Sequence, residues 1–331
     1  MVIELDAAEL APFAAARPVP EELSPLVSGG ALVVHGAPAD VDAGWLEGVP
    51  AVTVLVGNGE PAPDGFDVYL TTSADPPAPW VRSELATVTD AVAAQPLVCL
   101  AAVSLYRAAA GLDVWRGLAA ESATYAALLA SAPFQEWRAR RPARPAPPAS
   151  EPPVLVDRLG SCLRIVLNRP HVHNAVDSAM RDGLVEALAV AVADPAIDEV
   201  ELAGAGASFS SGGDLEEFGT VGDPATAHAV RLTRHPARWL HLCADRVVVR
   251  AHGACLGAGV ELASFAGRVV AAPDAYFGLP EVAMGLVPGA GGTVGIPRRI
   301  GRPRAAWLTL TGERLPPATA RAWGLVDELE A

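Results

Sequence analysis

The chain has 331 residues, 51% of them hydrophobic, which is enough for a substantial core and argues against global disorder. Its net charge is −14, and all 24 positive side chains are arginine. That balance argues against a nucleic-acid partner, and it leaves any phosphate contact to arginine, backbone N–H groups or helix termini.

The acidic start Met1–Asp6 lacks the basic and apolar regions of a signal peptide. No apolar run approaches about 18 residues free of charge, so no membrane span is expected. Residues 1–65 carry weak signals. Two buried strands are read at Ala31–His35 and Ala51–Val56, with a helix near Asp40–Glu47 between them. A Pro-rich break follows at Ala74–Pro79.

Residues 66–141 read as mostly helical. Runs are predicted over Val81–Ala94, Leu97–Ala110 and Asp113–Ala130, with a short helix from Pro133. Asp113 and Ser131 are placed as N-caps. Leu118, Tyr125, Leu128 and Leu129 share a helical stripe, read as core. Residues 142–153, dense in proline, read as an extended linker. Residues 154–331 form the last unit. Val154–Asp157 and Cys162–Leu167 predict a hairpin, and Asp177–Ala193 a capped amphipathic helix. Val200–Leu202, Val247–Arg250 and Val269–Ala271 predict buried strands. Strands alternating with helices give the class α/β.

Cys99, Cys162, Cys243 and Cys255 show no CxxC or His/Cys ligand spacing, so reduced thiols, no metal site and a cytoplasmic setting are expected. The most informative stretch is Ala251–Ala263, a strand end, a glycine-rich turn at Gly257-Ala258-Gly259 and a helix start that carries Glu261. Small residues admit a ligand close to the backbone, and the unpaired N–H groups of a helix start can hold a carbonyl oxygen as it becomes negative. Gly278–Thr293 follows, with a second carboxylate at Glu281. An anion-stabilising turn with two carboxylates suggests polarised-carbonyl chemistry with proton transfer.

Five motifs in order then resemble the crotonase (enoyl-CoA hydratase/isomerase) superfamily. Leu167–Val176 resembles the loop that approaches coenzyme A, and Phe209–Leu215 the first oxyanion loop. The Gly257 turn resembles the second oxyanion loop, Pro280–Thr293 the acyl-pocket segment, and Ala322–Asp327 the closing strand. The resemblance implies a crotonase-like ββα superhelix core with additional N-terminal helices. It implies backbone N–H donors at Gly213 and Ala258, catalytic glutamates at Glu261 and Glu281, and coenzyme A contacts at Arg169, Ala175, Asp214 and Leu215. No metal and no separate cofactor are expected, because coenzyme A is part of the acyl-CoA substrate. A homotrimer or homohexamer is expected by resemblance only.

Family members usually continue past the closing strand into helices that pack the acyl site, whereas this sequence stops at Ala331. Residues 66–141 resemble that tail, above all Gly117–Trp137, so the N-terminal part is expected to supply from in front the helices usually found behind; the alternative is an unrelated helical extension.

His252 reads as a structural partner, His171 and His173 as solvent-exposed, and Asp214 as an N-cap. The arginines Arg138, Arg140, Arg141, Arg144, Arg298, Arg299, Arg302 and Arg304 offer phosphate contacts or simple solvated charge. The function expected is hydration of an enoyl-CoA thioester. The alternatives are a double-bond isomerase using Glu281 alone and a non-catalytic scaffold subunit of the same fold.

Overall fold

The computed structural model describes residues 2–38, 42–59, 63–142 and 151–330, and two larger sheets run through it. The first comprises β1 (Ile3–Asp6), β2 (Ala31–His35), β3 (Val52–Gly57), β4 (Val68–Thr71) and β5 (Val81–Arg82), neighbours in chain order and all parallel. Its crossovers hold α1 (Ala7–Ala15), α2 (Pro20–Leu23) and α3 (Ala43–Gly48). The strands at 31–35 and 52–57 and the helix between them match the sequence reading. Val81–Arg82 does not, because it is edge strand rather than helix. Its pairing with Leu70–Thr71 buries Trp80 and Val81.

Four helices follow, α4 (Leu85–Ala94), α5 (Pro96–Ala109), α6 (Val114–Leu129) and α7 (Ala132–Ala139). Asp113 caps α6 through the Arg116 N–H at 2.9 Å. Ser131 stands at the start of α7, but its hydroxyl donates backwards to the Leu128 carbonyl. Pro96 starts α5 at N1, where its missing N–H costs nothing. The Pro-rich segment 143–150, and Arg144 with it, lies outside the described residues.

The second sheet has the order β13-β11-β9-β8-β7-β6. It begins with the antiparallel hairpin β6 (Val154–Leu159) and β7 (Cys162–Leu167), and every later pairing is parallel. Helix α8 (Ser178–Ala193), capped by Asp177 at the Met180 N–H, crosses to β8 (Glu199–Gly204). Helices α9 (Pro224–Thr233) and α10 (Pro236–Leu242) lead to β9 (Val247–Ala251). Then come β10 (Ala254–Leu256), α11 (Ala258–Ala263), β11 (Arg268–Ala271) and β12 (Tyr276–Gly278), with β10 and β12 forming a small parallel pair. Helices α12 (Gly292–Ile300), α13 (Arg302–Thr311) and α14 (Pro317–Trp323) precede β13 (Glu328–Leu329).

One continuous apolar core joins the halves, running from Val33 and Val54 through Val103, Leu118 and Phe134 to Val249, Leu286 and Leu308. Polar staples cross the same seam. Arg107 on α5 pairs with the buried Asp67 and reaches the carbonyls of Val49 (2.6 Å) and Ala51 (2.8 Å). The Tyr106 hydroxyl meets Thr309 Oγ1 on α13 at 2.7 Å. Gly117 lets α6 approach α12 closely, since a Cβ there would lie 3.0 Å from Val294. The helices of the first half therefore pack directly onto the second.

Candidate active site

Two glycine-bearing turns lie side by side because the loop after β8 pairs with the edge of β10. Ser210 N–H donates to the Ala254 carbonyl and Leu256 N–H to the Ser210 carbonyl, both at 3.0 Å. A Cβ on Gly212 would stand 3.6 Å from the Ala258 nitrogen, so the turns touch. Gly257 adopts φ +48, a region that favours glycine, and its N–H is held by the Gly278 carbonyl. The N–H groups of Gly213 and Ala258 find no protein acceptor among the described residues, and both residues line one cavity of about 320 Å³. Two free donors converging on a concave, mostly apolar space are suited to a carbonyl oxygen that gains charge.

Both candidate glutamates open into that cavity. Glu261, in the first turn of α11, is 2% exposed, and its Oε2 accepts N–H bonds from Ala290 (2.7 Å) and Gly292 (2.8 Å). Glu281 begins a 3-10 turn after Pro280, and its Oε1 lies 2.5 Å from where a Gly257 Cβ would project. Its Oε2 is buried without a protein partner. Burial pushes Glu281 up to about 8. Burial, then the Glu281 and Glu121 carboxyls, also raise Glu261, against the pull of its two N–H bonds. Both carboxyls are thereby pushed toward the protonated form, as a proton donor near neutrality requires.

A third carboxyl, Glu121 on α6, received no role from the sequence. It is fully buried, accepting from Gly291 N–H (2.7 Å), Thr293 N–H (2.9 Å) and the Thr293 hydroxyl (2.7 Å). Burial pushes it up to about 7 despite these bonds. The signal available in the sequence was a lone acid on the stripe of Leu118, Tyr125 and Leu129.

Asn174 was equally unassigned. Its amide donates to the carbonyls of Ala205 and Ser208 at 2.8 Å, its oxygen accepts the Arg169 N–H, and the Ser210 hydroxyl donates to its carbonyl. It thereby pins the first turn from behind.

The coenzyme A candidates are brought together only in part. Asp214 lines the cavity, whereas Arg169, Ala175 and Leu215 are not among its lining residues. The Arg169 guanidinium is committed inward, to Asp214 (3.0 Å), Asp177 (3.3 Å) and the Ala175 carbonyl (2.6 Å). Asp214 does not cap a helix. It closes a turn by accepting the Glu216 N–H, because residues 215–219 are turn rather than helix.

His252 is a structural partner, 3.0 Å from the Gly206 carbonyl. His171 and His173 are exposed, and His173 also contacts Ser208. Most of the arginine clusters serve as staples. Arg298 reaches the carbonyls of Val294 and Leu112, Arg299 reaches Ser264, Ala266 and Asp327, and the buried Arg304 lies against Trp80 and stacks on Trp323. Arg138 and Arg141 pair with Glu216, Arg140 with Glu136 and Arg302 with Glu47.

The cavity is walled partly from the first half. Tyr125 and Leu129 line it, with the Tyr125 ring against Gly289. Phe134 of α7 backs the turn at Gly285. Helix α6 thus reaches the site through Tyr125 and Leu129.

A sequence profile described as enoyl-CoA hydratase/isomerase matches residues 158–331. The 2,3-dehydroadipyl-CoA hydratase of Escherichia coli is 35% identical over 178 residues, 53% of this chain and 68% of its own. The mitochondrial enoyl-CoA hydratase of Pongo abelii is 32% identical over 50% of this chain, which spans 56% of that relative. Among solved structures, an enoyl-CoA hydratase from Thermoplasma volcanium superimposes with a TM-score of 0.51 at 34% identity, covering 54% of this chain and 72% of that one. The profile match spans both turns and both glutamates, and the chain belongs to the enoyl-CoA hydratase/isomerase family of enzymes.

Proposed function

We propose that the protein adds water across the C2–C3 double bond of an enoyl-CoA thioester. The observation that carries this reading is the pairing of two buried carboxyls, Glu261 and Glu281, with two unclaimed N–H groups at one cavity. The thioester oxygen sits between Gly213 N–H and Ala258 N–H. Each such donor is worth roughly 3–4 kcal/mol to a developing oxyanion. Glu261, its Oε2 fixed by Ala290 and Gly292, takes a proton from the water that attacks C3. Glu281 gives its proton to C2. The products are the 3-hydroxyacyl thioester and a proton moved from one glutamate to the other.

Further parts of this reading rest on the family resemblance. They are a trimer or a dimer of trimers, a cytoplasmic setting and no cofactor beyond the coenzyme A of the substrate. On the same reading the helices of residues 97–140 supply a wall of the acyl pocket, and the cavity lining at Tyr125 and Leu129 supports this.

One observation favours a second reading. Glu261 spends an oxygen on backbone N–H groups, whereas Glu281 keeps one without a partner, as a lone proton shuttle would in a double-bond isomerase.

The test is incubation with a panel of enoyl-CoA thioesters in ¹⁸O water, read by mass spectrometry. Hydration predicts a gain of one labelled water, lost in both Glu261→Gln and Glu281→Gln. Double-bond migration that survives Glu261→Gln would favour the isomerase. No change in any thioester would remove both readings in favour of a scaffold.

A further inference from the structure

The wall of the cavity carries a cation and an imidazole that the chemistry above does not use. Arg231 on α9 is half-buried and stacks over the Tyr125 ring at 4.6 Å. Its Nε donates to Ser122 Oγ at 3.2 Å and its Nη2 to the Ser122 carbonyl at 3.5 Å, which leaves Nη1 without a protein partner among the described residues. It makes no ion pair with any carboxylate among the described residues. The acids around it are engaged elsewhere. Glu121 spends both oxygens on Gly291 and Thr293, Asp177 and Asp214 are held by Arg169, and Glu217 accepts from Ser178.

His235, next to α10, is 3% exposed, and neither ring nitrogen has a partner. Burial and the cations Arg231 and Arg238 press it down to about 4, so it stays neutral and offers one N–H donor. A buried polar group left unpaired is uncommon in a folded protein and points to a missing partner. Both residues line the cavity that holds Gly213, Ala258, Glu261 and Glu281.

Given the acyl-thioester reading above, on which this rests, we infer that Arg231 and His235 bind a carboxylate at the far end of the acyl chain, so that the substrate is a mono-thioester of a dicarboxylic acid. A guanidinium fork matches a carboxylate in shape and charge. Its stacking on Tyr125 and bond to Ser122 fix the direction of the fork before ligand arrives. The neutral imidazole adds a donor without adding charge. A methyl-ended chain at this wall would cover both groups and pair with neither, which is how a polar site rejects an apolar analogue.

The test is calorimetric titration of the full chain with saturated coenzyme A thioesters matched in carbon number. The pairs are succinyl and butyryl, adipyl and hexanoyl, suberyl and octanoyl. Saturated chains cannot be hydrated, so the reading is independent of turnover. The dicarboxylyl member should bind about 10- to 100-fold more tightly at one length or more. Arg231→Met should bring that ratio to about one, and Arg231→Lys, which keeps the charge and loses the fork, should leave it intermediate. Equal or weaker binding of the dicarboxylyl member at every length, or a preference untouched in Arg231→Met, would overturn the inference. If Arg231→Met does not fold, the wild-type ratios and Arg231→Lys decide it. A binding preference with no ¹⁸O uptake by the matching enoyl thioesters would leave this inference standing and remove the hydratase. Uptake without the preference would do the reverse.

Discussion

Glu121 and Glu261 grip alternate N–H groups of a single turn: Glu261 takes those of Ala290 and Gly292, and Glu121 takes those of Gly291 and Thr293. One acid belongs to the core of the family match and the other to α6, which precedes it. The turn that orients Glu261 is therefore fixed from both halves of the chain.

Glu121→Ala leaves two N–H groups and a hydroxyl buried without acceptors. The expected loss is about 2–4 kcal/mol of stability, with hydration falling because Glu261 loses its support. Glu121→Gln, which restores an acceptor oxygen, should recover part of both. Denaturant melts and steady-state kinetics on the two variants check this.

Burial lifts Glu281 to about 8 and Glu121 to about 7, whereas unfolded glutamate titrates near 4.3, roughly. The folded state thus binds these protons more tightly. The stability they contribute is full below the unfolded value and is lost as pH rises to about 8. Glu281→Gln cannot ionise, so its melting temperature should gain on wild type between acid and alkaline pH. Its hydration rate should fall about 10²- to 10⁴-fold. Wild-type kcat/KM should decline above about pH 8, where Glu281 loses its proton. Parallel pH series of melting and rate decide the matter.

Gly257→Ala should cost activity more than stability. The new Cβ would stand 2.5 Å from Glu281 Oε1, at a φ of +48 that side chains resist. A penalty of order 1–3 kcal/mol is expected from the backbone alone, with displacement of the acid besides. Gly48→Ala, at the end of α3 with open space around it, is the contrast and should be neutral or slightly stabilising. Melting and hydration assays on the pair separate the two effects.

Tyr125→Ala should reshape the cavity from its first-half wall. The ring packs on Gly289, meets Phe218 edge-on and supports Arg231. Removing it should cost about 3–5 kcal/mol, as for other buried aromatics, and shift preference toward bulkier acyl chains. A kcat/KM profile across chain lengths measures this.

The backbone devices of the site were legible because glycine signals them locally. The turns at Gly212–Gly213 and Gly257–Gly259 need small residues wherever they occur, and their order along the chain marked the family. Strands 31–35 and 52–57 were legible as short, largely apolar runs rich in valine. The strand Ile3–Asp6 was not, since four alternating residues carry no pattern distinct from a loop. Val81–Arg82 was assigned to a helix because a two-residue edge strand is defined by its neighbour, here Leu70–Thr71. Glu121 and Asn174 were missed for a related reason. A buried acid and a solvated one are the same letter, and only the partners at Thr293 and Ser208 tell them apart. The coenzyme A role assigned to Arg169 came from motif position, which does not reveal that Asp177 and Asp214 claim its guanidinium.

The grip of Glu121 on Thr293 also sets a timetable. Those residues are 172 positions apart, and at roughly 5–20 residues per second a ribosome needs about 10–30 s to pass from one to the other. For most of that interval α6 is complete, with its apolar stripe and its carboxylate, while the turn at Gly291–Thr293 is still untranslated. The nascent chain must keep a finished wall in waiting for a room not yet built, and the apolar face of α6 is where a chaperone would find it.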